Sequence, residues 1–188
     1  MNAAIDSVAI AEQASRLSPS QRQCLLERIS ALRPQGATIA GVGGGGAGGK
    51  IDAVIASLRA QAAREANEAL LADKLAAAGA LRPAHLLAAI SQGRLSLFAA
   101  ALARLGGFTP DQARAAIDEP AAPDLLAIAC VAAGIDKAAF PALLERLRRT
   151  NTGKPGGGDS GARRALGVFG LFSPAAAARA VDRVAPRV

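Results

Sequence analysis

Residues 79–149 read GALRPAHLLAAISQGRLSLFAAALARLGGFTPDQARAAIDEPAAPDLLAIACVAAGIDKAAFPALLERLRR. The stretch divides into short apolar blocks, and most of them close on glycine. Gly79, Gly93 and Gly107 stand 14 residues apart, and Gly134 follows 27 residues later. A glycine just past a helix takes the left-handed conformation without a Cβ penalty, so each of these marks a stop. Prolines mark the starts. Pro83, Pro110 and Pro123 stand where a first helical residue loses nothing by lacking an N–H. Thr109-Pro-Asp-Gln112 has capping-box spacing, and such a cap contributes about 1 kcal/mol.

Helices of roughly 9–13 residues are marginal alone in water, so their stability must come from packing. The apolar positions supply it. Leu86, Leu87 and Ile90 form one face, and Leu95, Phe98, Leu102 and Leu105 form the next. Leu125, Leu126, Ile128, Ala129 and Val131 make a helix that is apolar nearly all round, which predicts a central position. Phe140, Leu143, Leu144 and Leu147 line the block after it. The expected fold is all-α: short antiparallel helices in a HEAT-like repeat stack with flexible Gly-rich linkers.

GRLSLFAAALARLGGFTPDQARAAIDE followed by DLLAIACVAAGIDKAAFPALL resembles the C-terminal part of a bacterial family, domain of unknown function 2336. The likeness covers about residues 81–149 and is carried by Gly93, Phe98, Leu102, Ala103, Pro110 and Gly134. It implies a helical, repeat-like protein with no accepted catalytic residues. The glycine-rich flanking stretches are not part of that pattern.

Before this stretch, residues 1–34 predict a helical hairpin, with a second capping box at Ser18-Pro-Ser-Gln21. GATIAGVGGGGAGGK spans residues 36–50, within an expected linker at 35–50. Gly44 to Lys50 matches the spacing of a phosphate-binding loop. Ile51 stands where that loop needs Ser or Thr for magnesium, and no strand–helix alternation surrounds it, so the linker reading prevails. A helical-repeat domain is expected over 51–149. It begins with the face Ile51, Val54, Ile55, Leu58 and Ala62, followed by a polar centre at Arg64, Glu65, Asn67 and Glu68. A second glycine-rich linker is expected at 150–161, and a basic tail at 162–188.

The 188-residue chain carries a net charge of +7 from 22 basic and 15 acidic residues. Nine Arg or Lys and two Asp lie after Glu145, so the first 145 residues are neutral and the basic character belongs to the C-terminal end. No apolar run approaches 18 residues, and the N-terminus has no basic region of a secretory signal. Cys24 and Cys130 lack CxxC spacing and read as small hydrophobes. A cytoplasmic location is the expectation.

No constellation for catalysis, metal or cofactor emerges. His85 has no Ser, Cys or carboxylate at a catalytic spacing, and Asp118-Glu119 reads as a solvated helix end. The sequence therefore points to a non-enzymatic helical-repeat interaction module with a protein partner. The alternative is binding to an anionic membrane surface or another polyanion through the tail. Its candidate residues are Arg163, Arg164, Phe169, Phe172, Arg179 and Arg183. Nucleic acid is disfavoured: there is no Trp or Tyr, and only five Phe, for base stacking.

Overall fold

A computed structural model describes Gln21, Gln23, Cys24, Glu27 and residues 47–184. Every regular element among the described residues is helical, as the sequence predicts. The elements are α1 (Ala47–Ala77), α2 (Pro83–Ser91), α3 (Leu95–Gly106), α4 (Pro110–Asp118), α5 (Asp124–Ala132), α6 (Phe140–Thr150), α7 (Gly158–Val168) and α8 (Pro174–Val184). Most of the expected N-terminal hairpin and of the linker at 35–50 lies outside the described residues. The linker's last four residues, Ala47–Lys50, already belong to α1.

Contacts divide the chain into two units, Met1–Ala66 and Asn67–Val188. The division falls within the polar centre of α1. In the first unit, residues 21, 23, 24 and 27 are helical, and the Gln23 amide donates to Glu27 Oε1 at 2.9 Å. Ile55 and Leu58, in its share of α1, are buried.

The second unit holds the main core. Its helices end as the sequence dictates. Gly79, Gly93, Gly107 and Gly134 have φ of 63°, 70°, 75° and 72°. The residue after each glycine donates its N–H five residues back: Ala80 to Leu75, Arg94 to Ala89, Phe108 to Ala103 and Ile135 to Cys130. This is the long bond of the Schellman motif, which satisfies a carbonyl the helix leaves free. Starts match too. Pro83 and Pro110 open α2 and α4, whereas Pro123 sits one residue outside α5. Thr109 and Gln112 bond reciprocally, at 2.8 Å to the Thr109 N–H and 3.2 Å to the Gln112 N–H.

Apolar faces follow the reading of the sequence. Phe98, Leu102, Leu86, Leu126, Phe140, Leu143 and Leu147 are fully buried. The helix expected to be central is so: α5 packs on α3, α4, α7 and α8. Ion pairs tie α1 to α3. Arg94 Nε reaches Glu68 Oε1 at 2.9 Å, and Arg104 Nε reaches Asp73 Oδ1 at 2.5 Å. The hydrogen bond to Asp73, with its charge, raises the Arg104 guanidinium above its ordinary value.

Two expectations are corrected by the C-terminal end. The stretch at 150–161 is not a linker throughout, because α7 begins at Gly158. Its glycines serve close packing instead. A Cβ on Gly156 would collide with the Pro120 carbonyl, and one on Gly157 would meet Ala121 and Ala122 at 3.1 Å. Several bonds pin this strap. Gly156 N–H donates to Glu119 O at 3.0 Å, and Asn151 donates to Asp118 Oδ1 at 2.9 Å. Arg148 donates to the carbonyls of Pro155 and Gly156 at 2.8 and 2.5 Å. The described part of 162–188 is likewise no tail. Ala165 and Val181 are fully buried in the main core, because alanine and valine at these positions let α7 and α8 pack closely on α5.

Candidate functional site

The site grows from the two ends of helices that meet beside α5 and α7. The chain leaves α5 through Ala133 and the left-handed Gly134, then buries Ile135. Asp136 Oδ1 accepts the Ala138 N–H at 2.7 Å and holds the turn that leads into α6. On the other side, α7 ends in a tight turn in which Leu171 N–H donates to Val168 O at 3.0 Å. Ser173 then caps α8, accepting the Ala176 N–H at 3.3 Å, and Pro174 is its first residue.

Between these ends lies an open cleft of about 440 Å³. Val131, Ile135, Phe169, Phe172 and Pro174 form its apolar wall, Gly134 and Gly170 let the backbone come to its surface, and Asp136 and Lys137 complete the lining. Phe169 has two duties. It lines the cleft, and its ring also packs on Phe140 with centroids 5.1 Å apart and planes tilted by 57°. Phe172 belongs instead to a smaller cluster around Val131, Ala132 and Ala177. The arrangement is suited to receiving apolar side chains, with one exposed ammonium at hand.

The six residues singled out from the sequence part company here. Phe169 and Phe172 come together in the cleft. Arg164 is engaged: its Nε and Nη2 donate to Asp124 Oδ2 at 2.9 and 2.7 Å. That hydrogen bond, with the aspartate's charge, raises the Arg164 guanidinium above its ordinary value. Arg163, Arg179 and Arg183 are exposed and unpaired among the described residues. Sequence reasoning missed Val131, Ile135, Lys137 and Pro174 as site residues. For three of them a signal was present, since Val131 and Ile135 lie on either side of the Gly134 stop and Pro174 follows the Ser173 cap, whereas Lys137 carries none.

A family model described as "Uncharacterised protein conserved in bacteria (DUF2336)" matches residues 6–182. The chain belongs to that family. The DUF2336 match extends well beyond the 81–149 likeness, to helices α7 and α8 that build the cleft wall. No curated protein and no solved structure matches the chain.

His85 and Cys130 are tied into the structure of the second unit. His85 Nδ1 lies 3.0 Å from the Arg82 N–H, a contact that caps α2. Cys130 is fully buried, and burial pushes its thiol up, away from the reactive thiolate. Among the described residues no three His, Cys, Asp or Glu lie together as a metal site, and no helix is long and apolar enough to cross a membrane.

Proposed function

We propose that this DUF2336 protein is a non-enzymatic helical-repeat interaction module that receives a segment of a protein partner in the cleft beside α5. The observation that carries the reading is the cleft itself. Two phenylalanines, a valine, an isoleucine and a proline face an opening of about 440 Å³. Apolar side chains held at an open surface are the usual anchor points for a partner segment. The repeat character is supported by packing between helices near in sequence: α2 with α3, α3 with α4 and α5, α4 with α5, and α6 with α7. Packing of α2 on α6 and of α8 on α5 adds longer-range contacts to that pattern.

The test compares capture by the full chain with capture by Phe172→Asp. The reading expects a set of bound proteins that is retained by wild type and lost by the variant, while helical content and unfolding midpoint stay within a small shift. Identical retention by both proteins refutes the cleft as the binding surface.

A further inference from the structure

The cleft and the turn beside it place a hollow and a projection on one surface. Phe169, Gly170 and Phe172 belong to the lining, and Leu171 stands among them in the chain without taking part in it. The turn that ends α7, closed by the Leu171 N–H on Val168 O, holds this side chain outward, 76% exposed. A lone exposed leucine is ordinary. This one continues the apolar surface of Phe169, Phe172 and Pro174, and such continuity marks an interaction surface.

The charges of the lining are balanced. Asp136 and Lys137 are sequence neighbours, and both are exposed. Asp136 Oδ1 accepts the Ala138 N–H, which fixes the carboxylate and leaves its negative charge in place. Lys137 has no side-chain partner among the described residues. One acid and one base select neither an acidic nor a basic occupant. They match a surface that offers one charge of each sign beside an apolar projection. The chain's own surface is of that kind.

Building on the module reading, we infer that the protein segment the cleft receives is the Gly170–Phe172 turn of a second copy of this chain. Such an interface is two-fold and isologous, so each contact is made twice. Leu171 of each copy enters the other's cleft between Ile135 and Phe172, and Asp136 of each faces Lys137 of the other. Burial of two leucines supplies the attraction, and the charge pairs fix the register. One hollow and one projection per copy are few contacts beside the roughly 1,200–2,000 Å² that a stable interface buries, so the dimer is weak and depends on concentration.

The test is sedimentation equilibrium of the full chain across the micromolar to submillimolar range. The expected result is a reversible monomer–dimer equilibrium that Leu171→Asp weakens about tenfold or more. Helical content should not change, because the side chain is exposed. Lys137→Glu is expected to weaken the dimer severalfold. Mixing that variant with Asp136→Asn, which keeps an acceptor for the Ala138 N–H, should recover part of the loss. A chain that stays monomeric at every concentration overturns the second copy as occupant. The module reading is decided apart from this, by capture on wild type and its loss in Phe172→Asp. Dimers that survive Leu171→Asp lie on another surface and overturn the inference. Growth beyond the dimer makes the contact head-to-tail and overturns the two-fold pairing. A monomeric wild type that binds phosphatidylglycerol vesicles, with binding lost in Leu171→Asp, assigns the projection to a membrane surface and likewise overturns the inference.

Discussion

The side-chain amide of Gln112 donates to Asp182 Oδ1 at 3.2 Å, joining the first turn of α4 to the last helix across 70 residues. Gln112 is only 4% exposed, and its Oε1 is already taken by the Thr109 N–H. One side chain therefore closes the cap of α4 and anchors α8. Gln112→Ala removes both, leaving a cap N–H unsatisfied. A cap contributes about 1 kcal/mol, and a hydrogen bond to a charged group about 1.5–3 kcal/mol before allowance for Asp182's exposure. Urea unfolding of Gln112→Ala is expected to show a loss of about 2 kcal/mol, with a smaller loss for Asp182→Asn. A double-mutant cycle yielding no coupling between the two positions would contradict the link.

Phe98 is fully buried in α3, whereas Leu95, on the same sequence stripe, is only half-buried. Truncation of a buried Phe to Ala costs about 3–5 kcal/mol, from lost transfer energy and the cavity left behind. Phe98→Ala is therefore expected to remove that much in chemical unfolding, and Leu95→Ala distinctly less. Losses of equal size would mean that the two positions are packed alike.

The helices were legible because their signals are local. Gly93 and Gly134 predict their stops, and Thr109 and Gln112 predict a start, since each residue acts on backbone groups within one turn. The fate of α7 and α8 was not legible by the same route. GGGDSG looks like a linker until the Pro120–Pro123 segment is set against it, and only then does the lack of a Cβ at Gly156 become a packing requirement. Arg164 reads as free charge until Asp124, 40 residues earlier, is brought to it. The cleft was half legible. Phe169 and Phe172 stand out as aromatics in a chain with few, but Lys137 becomes significant only through its tertiary neighbours.

The two roles of glycine are separable by substitution. At Gly134 nothing lies within 4 Å of an added Cβ, so Gly134→Ala meets only the left-handed backbone at φ 72°. That conformation costs an L-residue roughly 1–2 kcal/mol. At Gly156 the added atom collides with the Pro120 carbonyl, which is backbone and cannot rotate away. Gly156→Ala is expected to be the more damaging, and to increase proteolytic cleavage between 151 and 157. Equal and small losses at the two sites would show that the strap yields easily.

The two thiols are expected to differ in reactivity. Cys24 is exposed, and Cys130 is fully buried. A disulfide reagent at pH 8 should therefore label one thiol quickly and the second only under denaturant. Burial raises the Cys130 thiol above its ordinary value of 9.0, so the folded protein holds this proton more tightly than the unfolded chain. Its contribution to stability is complete below that ordinary value and declines as pH rises above it. Cys130→Ala should flatten this part of the stability profile, and rapid labelling of both thiols in native buffer would be inconsistent with the core.

Phe169 and Phe172 line one cleft but should separate stability from binding. Phe169 lies 5.1 Å from Phe140, centroid to centroid, and packs against the main core. It is half-buried, so its truncation falls below the full-burial cost. Part of the apolar transfer and an aromatic pair contribution of about 0.5–1.5 kcal/mol together suggest a loss of about 2 kcal/mol for Phe169→Ala. Phe172 packs on the smaller cluster around Val131 and Ala177, so Phe172→Ala should lose about 1 kcal/mol or less. In the capture experiment the order is expected to change: Phe172→Ala loses most of the bound proteins while remaining folded. A Phe172→Ala protein that unfolds as readily as Phe169→Ala would make this residue a core anchor, and would remove the main support for the cleft as a binding surface.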